Sequence, residues 1–230
     1  AAMDGISDNF EDAVQKMSSV LAVTGKVLPV TLDDMQLEAI LENGNKVIGE
    51  SQIPVEALNQ KSKIKKLMIN PENAEPLKDA LDAIKEADAI VIGPGSLYTS
   101  IIPNLLVKKI SNSVRKSDAI KIYVSNIMTQ PGETDGYNVL DHVEALIKHT
   151  EYGLIDYIVV NNEEIPAFVS KRYEDDGSTQ VLLDNEQKLK LKCMGIETIE
   201  ENLIEIKNAY IRHNADRISD ITVNLVKSHL

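Results

Sequence analysis

The run Ala89-Ile90-Val91-Ile92-Gly93-Pro94-Gly95-Ser96-Leu97-Tyr98-Thr99-Ser100 concentrates residues that could meet an anion. Four apolar residues predict a buried strand, and the glycines after them let a backbone approach a ligand closely. Successive N–H groups, with the Ser96 and Thr99 hydroxyls, could donate to phosphate oxygens. Pro103 suits the first turn of a following helix, whose dipole favours an anion at the same place. The same residues also make a plain strand-to-helix connection without a ligand, and a Gly-x-Gly turn alone does not choose between the two.

Further polar residues recur after later apolar runs. Asn126 and Thr129 follow Ala119 to Ser125, and Asn161 and Asn162 follow Tyr157-Ile158-Val159-Val160. They could read a base or sugar edge, or cap strand ends and turns. Glu133 and Asp135, two carboxylates in one loop, could hold a metal or move protons. Asp135 could equally cap a helix starting at Gly136. No His or Cys stands nearby in sequence, so the cation such a loop would suit is Mg²⁺ shared with ligand phosphates. Tyr173 in Lys171-Arg172-Tyr173 offers a ring for stacking, and Arg212 in Tyr210-Ile211-Arg212-His213 a guanidinium for bidentate phosphate contact. Their alternatives are a half-buried surface aromatic and an ion pair with one of the 36 acidic residues. His142, His149, His213 and His229 read as polar groups on surfaces. No Ser, His and Asp set has a spacing that suggests nucleophilic catalysis.

The elements that must position these residues alternate. Residues 8 to 23 keep helical spacing through Phe10, Val14, Met17, Val20 and Leu21. Residues 25 to 70 read as a small β-rich insertion, with Leu37 to Leu41 and Lys46 to Glu50 flanking Asn43-Gly44, a type I′ hairpin signal. Leu77, Ala80, Leu81 and Ile84 mark a short helix. Then come a strand at Ala89 to Ile92, a helix from Ile101 to Lys116, a strand at Ala119 to Ser125, a helix from Gly136 to His149 and a strand at Asp156 to Asn161. This order predicts an α/β fold with a mostly parallel sheet and crossover helices, residues 1–24 and 71–230 forming the main domain. Ligands of such sheets sit outside the carboxyl ends of the strands, where the polar residues converge. Past Pro166 the pattern predicts a helix to Tyr173, β segments near Thr179 to Leu183 and a last helix from Asn214 to Leu230.

Composition narrows the function classes. The net charge of −12 argues against general affinity for nucleic acid. No apolar run approaches the ~20 residues of a membrane span. Ala1-Ala2-Met3-Asp4 lacks a basic region before an apolar core, which predicts a cytoplasmic protein. A single cysteine, Cys193, excludes an internal disulfide framework.

Gly93-Pro94-Gly95-Ser96-Leu97-Tyr98-Thr99-Ser100-Ile101-Ile102-Pro103-Asn104-Leu105-Leu106, followed by Asn126-Ile127-Met128-Thr129-Gln130-Pro131-Gly132-Glu133-Thr134-Asp135-Gly136, resembles the bacterial gluconeogenesis factor family. The resemblance runs through all 230 residues. It implies a Rossmann-like protein related to the phospholactate transferase of deazaflavin biosynthesis. It further implies a regulator of central carbon and cell-wall precursor metabolism that binds nucleotide sugars such as UDP-N-acetylglucosamine. On that pattern Gly93, Gly95, Ser96 and Thr99 would contact a diphosphate, with Asn126, Thr129, Glu133, Asp135, Asn161, Tyr173 and Arg212 completing the ligand set. No cofactor is required, Mg²⁺ accompanying the nucleotide at most. An enzyme that forms a hexosamine phosphate is a partner the family points to, and a homo-oligomer is left open. Members of the family open with a strand, a Gly-Gly-Gly-Thr-Gly-type loop and a helix, a unit missing from these 230 residues. Without it the chain is expected to bind nucleotide poorly, and tight calorimetric binding would refute that. The alternative within the resemblance is a Mg²⁺-dependent transferase acting on a nucleotide-linked phosphoryl substrate.

Overall fold

The structure is a computed structural model, and it describes residues 25–208 and 210–229. The helix expected over residues 8 to 23 lies outside them. Four strands, β4 (Ala89–Ile92), β5 (Ile120–Val124), β6 (Tyr157–Asn161) and β7 (Glu197–Glu201), form a parallel sheet in the order β4-β5-β6-β7. Side chains alternate across it. Tyr123, Ile158 and Val160 enter the larger core on one face, whereas Ile120, Ile122 and Val159 enter a second core on the other. Burial on both faces explains why β5 and β6 are largely apolar.

Helices cover both faces. On the larger-core side lie α2 (Lys78–Glu86), α3 (Ile102–Leu106), α4 (Lys108–Lys116), α5 (Val139–His149) and α7 (Asn185–Cys193). On the other lie α6 (Ala167–Asp175), α8 (Ala215–His229) and the hairpin of β8 (Ile204–Lys207) and β9 (Tyr210–His213). The start of α5 is a capping box: Asn138 accepts from the Asp141 N–H and the Asp141 carboxylate accepts from that of Asn138.

Residues 25 to 70 contain an antiparallel sheet, β2-β1-β3, with β1 at Gln36–Leu41, β2 at Lys46–Ile48 and β3 at Ile64–Asn70. Between β2 and β3 runs α1 (Gln52–Asn59), a helix that the β-rich reading missed. Ile53 of α1 and Leu67 of β3 are buried in the same core as Leu105 of α3. The Asn43-Gly44 turn differs from the expected type I′ form. Only Gly44, at φ +90, is left-handed, and its N–H donates to the Leu41 carbonyl. Asn43 keeps a negative φ and accepts the Asn45 N–H on its side chain, so the loop is a type I turn closed by a left-handed glycine.

Two more expectations fail for packing reasons. The continuous helix over Ile101 to Lys116 is instead a π-helical turn at Leu97–Ile101, then α3, a break at the extended Val107, and α4. Val107 at the break and Ile110 in the first turn of α4 are both buried in the larger core. The β segments expected near Thr179 to Leu183 reduce to one bridge, Met128 to Gln180.

His149 fastens the small sheet to the parallel-sheet unit. Its Nε2 accepts the Leu67 N–H of β3 at 2.9 Å, while Nδ1 donates to the Ala145 carbonyl at 2.7 Å, which fixes a neutral tautomer. Burial holds this imidazole below its ordinary pKa, with Lys148 and Lys66 adding to the effect against the Ala145 hydrogen bond. A group with a depressed folded pKa contributes stability that is present above its unfolded value, near 6.5, and lost as pH falls below it. Urea unfolding is therefore expected to show declining stability on acidification below about pH 6.5, with a shallower decline in His149→Phe. Equal slopes in the two proteins would remove His149 from the explanation.

Candidate functional site

A crevice of about 600 Å³ opens at the carboxyl ends of β4 and β5. Its walls come from four separate stretches. The turn after β4 supplies Pro94, Gly95 and Ser96, and the loop after β5 supplies Asn126 to Pro131 and Glu133. The end of α6 and the following turn supply Tyr173 and Ser178, and β9 supplies Ile211, Arg212 and His213. Pro54 of α1 closes the edge. Crossover connections bring the strand ends together, as expected where ligands meet parallel sheets.

Gly95, Ser96, Asn126, Thr129, Glu133, Tyr173 and Arg212 therefore share one cavity. Gly93, Thr99, Asp135 and Asn161 stand outside its lining. Gly93 has a turning role: at φ +85 it is in the left-handed region, and a Cβ there would crowd Ile101 and the Val124 carbonyl at 3.2 Å.

Hydrogen bonds already engage several groups expected to face a ligand. The Glu133 carboxylate accepts from the Tyr98 N–H at 3.1 Å, the Thr99 N–H at 3.2 Å and the Thr99 hydroxyl at 2.9 Å. It thus occupies the helix start that an anion would use, and Thr99 has no free donor for a phosphate. Burial raises the Glu133 pKa, opposed by these three hydrogen bonds and helped by Glu50. Asp135 accepts the Gly132 N–H at 2.7 Å rather than capping α5, a task Asn138 performs. The two carboxylates hold the loop and do not converge as a cation pair. Among the described residues no three His, Cys, Asp or Glu groups are placed to hold a metal.

Asn161 is also committed, donating to the Glu163 carbonyl at 2.8 Å and accepting the Leu203 N–H at 3.1 Å. Thr129 exchanges backbone and side-chain bonds with Thr179. The Tyr173 hydroxyl accepts the Ile211 N–H at 2.9 Å, tying α6 to β9 and standing its ring along the crevice.

One cation, Arg212, lines the crevice. Arg212 is exposed, its guanidinium 5.4 Å from the Tyr210 ring centre and bonded to its neighbour's carbonyl. Arg172 stacks at 4.0 Å over the same ring. Neither guanidinium meets a carboxylate among the described residues, though the chain carries a net charge of −12. The alternative reading of Arg212, an ion pair with an acidic residue, is not seen among the described residues, which leaves a cation available to an anion from solvent.

Sequence reasoning missed Gln130, His213 and Pro54. His213 was read as a surface group, yet it is half-buried in the crevice wall, and Nε2 donates to the Ser125 carbonyl at 3.0 Å. Burial lowers its pKa against that bond and keeps the ring neutral. Its only signal was its place next to Arg212.

Comparison with known proteins bears on the family and the fold. The family model described as 2-phospho-L-lactate transferase CofD matches residues 1–204. A relative from Clostridium acetobutylicum is 54% identical over 226 residues, covering 98% of this chain and 49% of its own length. The gluconeogenesis factor of Bacillus subtilis is 46% identical over 227 residues, covering 99% of this chain and 69% of the relative. A crystal structure of a UPF0052 family member from Bacillus halodurans superposes with a TM-score of 0.88 at 40% identity, covering 96% of this chain and 70% of that one. The chain thus spans about half of the Clostridium relative and somewhat over two thirds of the others. Among the described residues no helix is long and apolar enough to cross a membrane.

Proposed function

We propose, for a chain that belongs to the CofD family and stands with its gluconeogenesis factors, that the crevice binds a nucleotide sugar of the UDP-N-acetylglucosamine kind and that this binding regulates metabolism. The observation that carries the reading is Arg212, an exposed guanidinium in the crevice lining that meets no carboxylate among the described residues, with Arg172 on the same Tyr210 ring. A guanidinium there pairs bidentately with a phosphate, and Tyr173 offers an apolar face to the base or sugar. The ligand's differential affinity for two states of the protein would then shift its engagement of a partner, a hexosamine-phosphate-forming enzyme in the cytoplasm being the candidate. Glu133 and Asp135 serve the loop's own geometry, so a Mg²⁺ ion would enter with the ligand's phosphates.

Arg212→Ala is expected to weaken UDP-N-acetylglucosamine binding by about 10- to 100-fold, the effect of removing a charge-assisted hydrogen bond. Calorimetry on this chain, and on it preceded by the glycine-rich unit of its relatives, checks this. Unchanged affinity in Arg212→Ala would remove Arg212 from the site, and no binding by either parent protein would end the nucleotide-sugar reading. The family name favours a second reading, a transferase. Release of UMP or UDP from the nucleotide sugar with Mg²⁺ and cell metabolites would establish it, and recovery of intact ligand would favour the regulator.

A further inference from the structure

Two side-chain amides line the crevice beside the turn after β4, and the neighbour of Asn126 determines how its amide is turned. Asn126 Nδ2 donates to the Gly95 carbonyl at 3.1 Å. A carbonyl only accepts, so the amide cannot be reversed, and Oδ1 is left buried without a partner among the described residues. Gln130 Nε2 donates to the Ser96 hydroxyl oxygen at 2.7 Å, and Gln130 Oε1 is likewise buried and unpartnered. His213 adds to this pattern: with Nε2 donating to Ser125, its Nδ1 is an acceptor. The Tyr98 and Thr99 N–H groups and the Thr99 hydroxyl of the neighbouring helix start are engaged by Glu133. This part of the crevice therefore carries acceptors and no cation, while the exposed Arg212 lines the crevice on the β9 side.

We propose that this part of the crevice is a subsite for a neutral hydrogen-bond donor of the ligand, a hydroxyl or an N–H, read by Asn126 Oδ1 and Gln130 Oε1, with the diphosphate lying at Arg212. This rests on the nucleotide-sugar reading and reverses the placement of the phosphate expected from the Gly93 to Thr99 turn. An unpartnered buried acceptor disfavours the free protein, and a donor brought in after a small rotation of the amide removes that penalty. Acceptors in the subsite also repel a phosphate there, so one set of residues orients the ligand and selects against the reverse pose.

Calorimetry with UDP-N-acetylglucosamine, UDP and N3-methyl-UDP tests the assignment on wild type, Gln130→Met and Gln130→Glu, each preceded by the glycine-rich unit of its relatives, alongside the melting temperature of each free protein. Gln130→Met is expected to weaken UDP-N-acetylglucosamine binding tenfold or more while its melting temperature holds or rises. Gln130→Glu, which keeps the acceptors, is expected to bind within about threefold of wild type, a rescue that a merely structural role would not produce. If the donor is a sugar hydroxyl, UDP binds wild type and Gln130→Met alike. If it is the base N–H, UDP shows the same loss as the nucleotide sugar, and N3-methyl-UDP binds wild type weakly. Wild-type binding of UDP-N-acetylglucosamine that Gln130→Met leaves unchanged overturns the inference alone. No wild-type binding of any of the three overturns the reading beneath it, and the inference with it.

Discussion

Gly132→Ala is expected to lower the melting temperature by about 10 °C, from a loss of ~3–5 kcal/mol in a chain where each kcal/mol is worth ~2–4 °C. A Cβ at this position would overlap the Pro54 carbonyl oxygen and lie 2.8 Å from its carbonyl carbon. Both are backbone, so neither can swing aside. Gly132 also sits at φ +79, where an L side chain adds ~1–2 kcal/mol of strain. The contact joins α1 to the loop that carries Gln130 and Glu133, so the substitution separates the residue 25–70 unit from the crevice wall. Pro54, rather than any ligand, accounts for the absence of a side chain there. Scanning calorimetry checks the effect, and a fall under about 3 °C would mean that the loop shifts at little cost.

Glu133→Ala is expected to remove about 2–5 kcal/mol and Glu133→Gln less than about 1.5 kcal/mol, because the first leaves two N–H groups and a hydroxyl unpartnered in a largely buried place. Tyr98 is buried, and its N–H has the Glu133 carboxylate as acceptor. A glutamine carbonyl can still accept both N–H groups while its NH₂ donates to the Thr99 oxygen. It also avoids holding a charge in a place where burial raises the carboxyl pKa. Urea unfolding separates these outcomes. Equal destabilisation by Ala and Gln would show that charge, rather than hydrogen-bond geometry, holds the turn, and near-neutral effects of both would make the staple dispensable.

Reading the sequence placed the three strands that end in polar residues, because apolar runs such as Ile158 to Val160 are buried on both faces and have no competing helical period. It missed β7, whose Glu197, Glu200 and Glu201 hide an edge strand under acidic residues. It missed α1 because Pro54 and two β-branched residues, Ile53 and Val55, argue against a helix, whereas Pro at an early helical position is well tolerated. At the site, residue types pointed to Asn126, Tyr173 and Arg212 as polar groups of interest. They did not reveal which partners within the chain compete for them.

The sequence by itself determined the α/β class, the parallel order of the central strands and the convergence of their carboxyl ends, since each follows from local periodicity and from the handedness of strand-helix-strand units. Only the tertiary structure decided what the converged groups are free to do. Glu133 reaches across 34 residues to occupy the helix start at Thr99. Asn126 and Gln130 turn their NH₂ groups inward to Gly95 and Ser96, and His213 crosses 88 residues to Ser125. Hydrogen-bond capacity is finite and is assigned by proximity in space, which spacing along the chain does not encode.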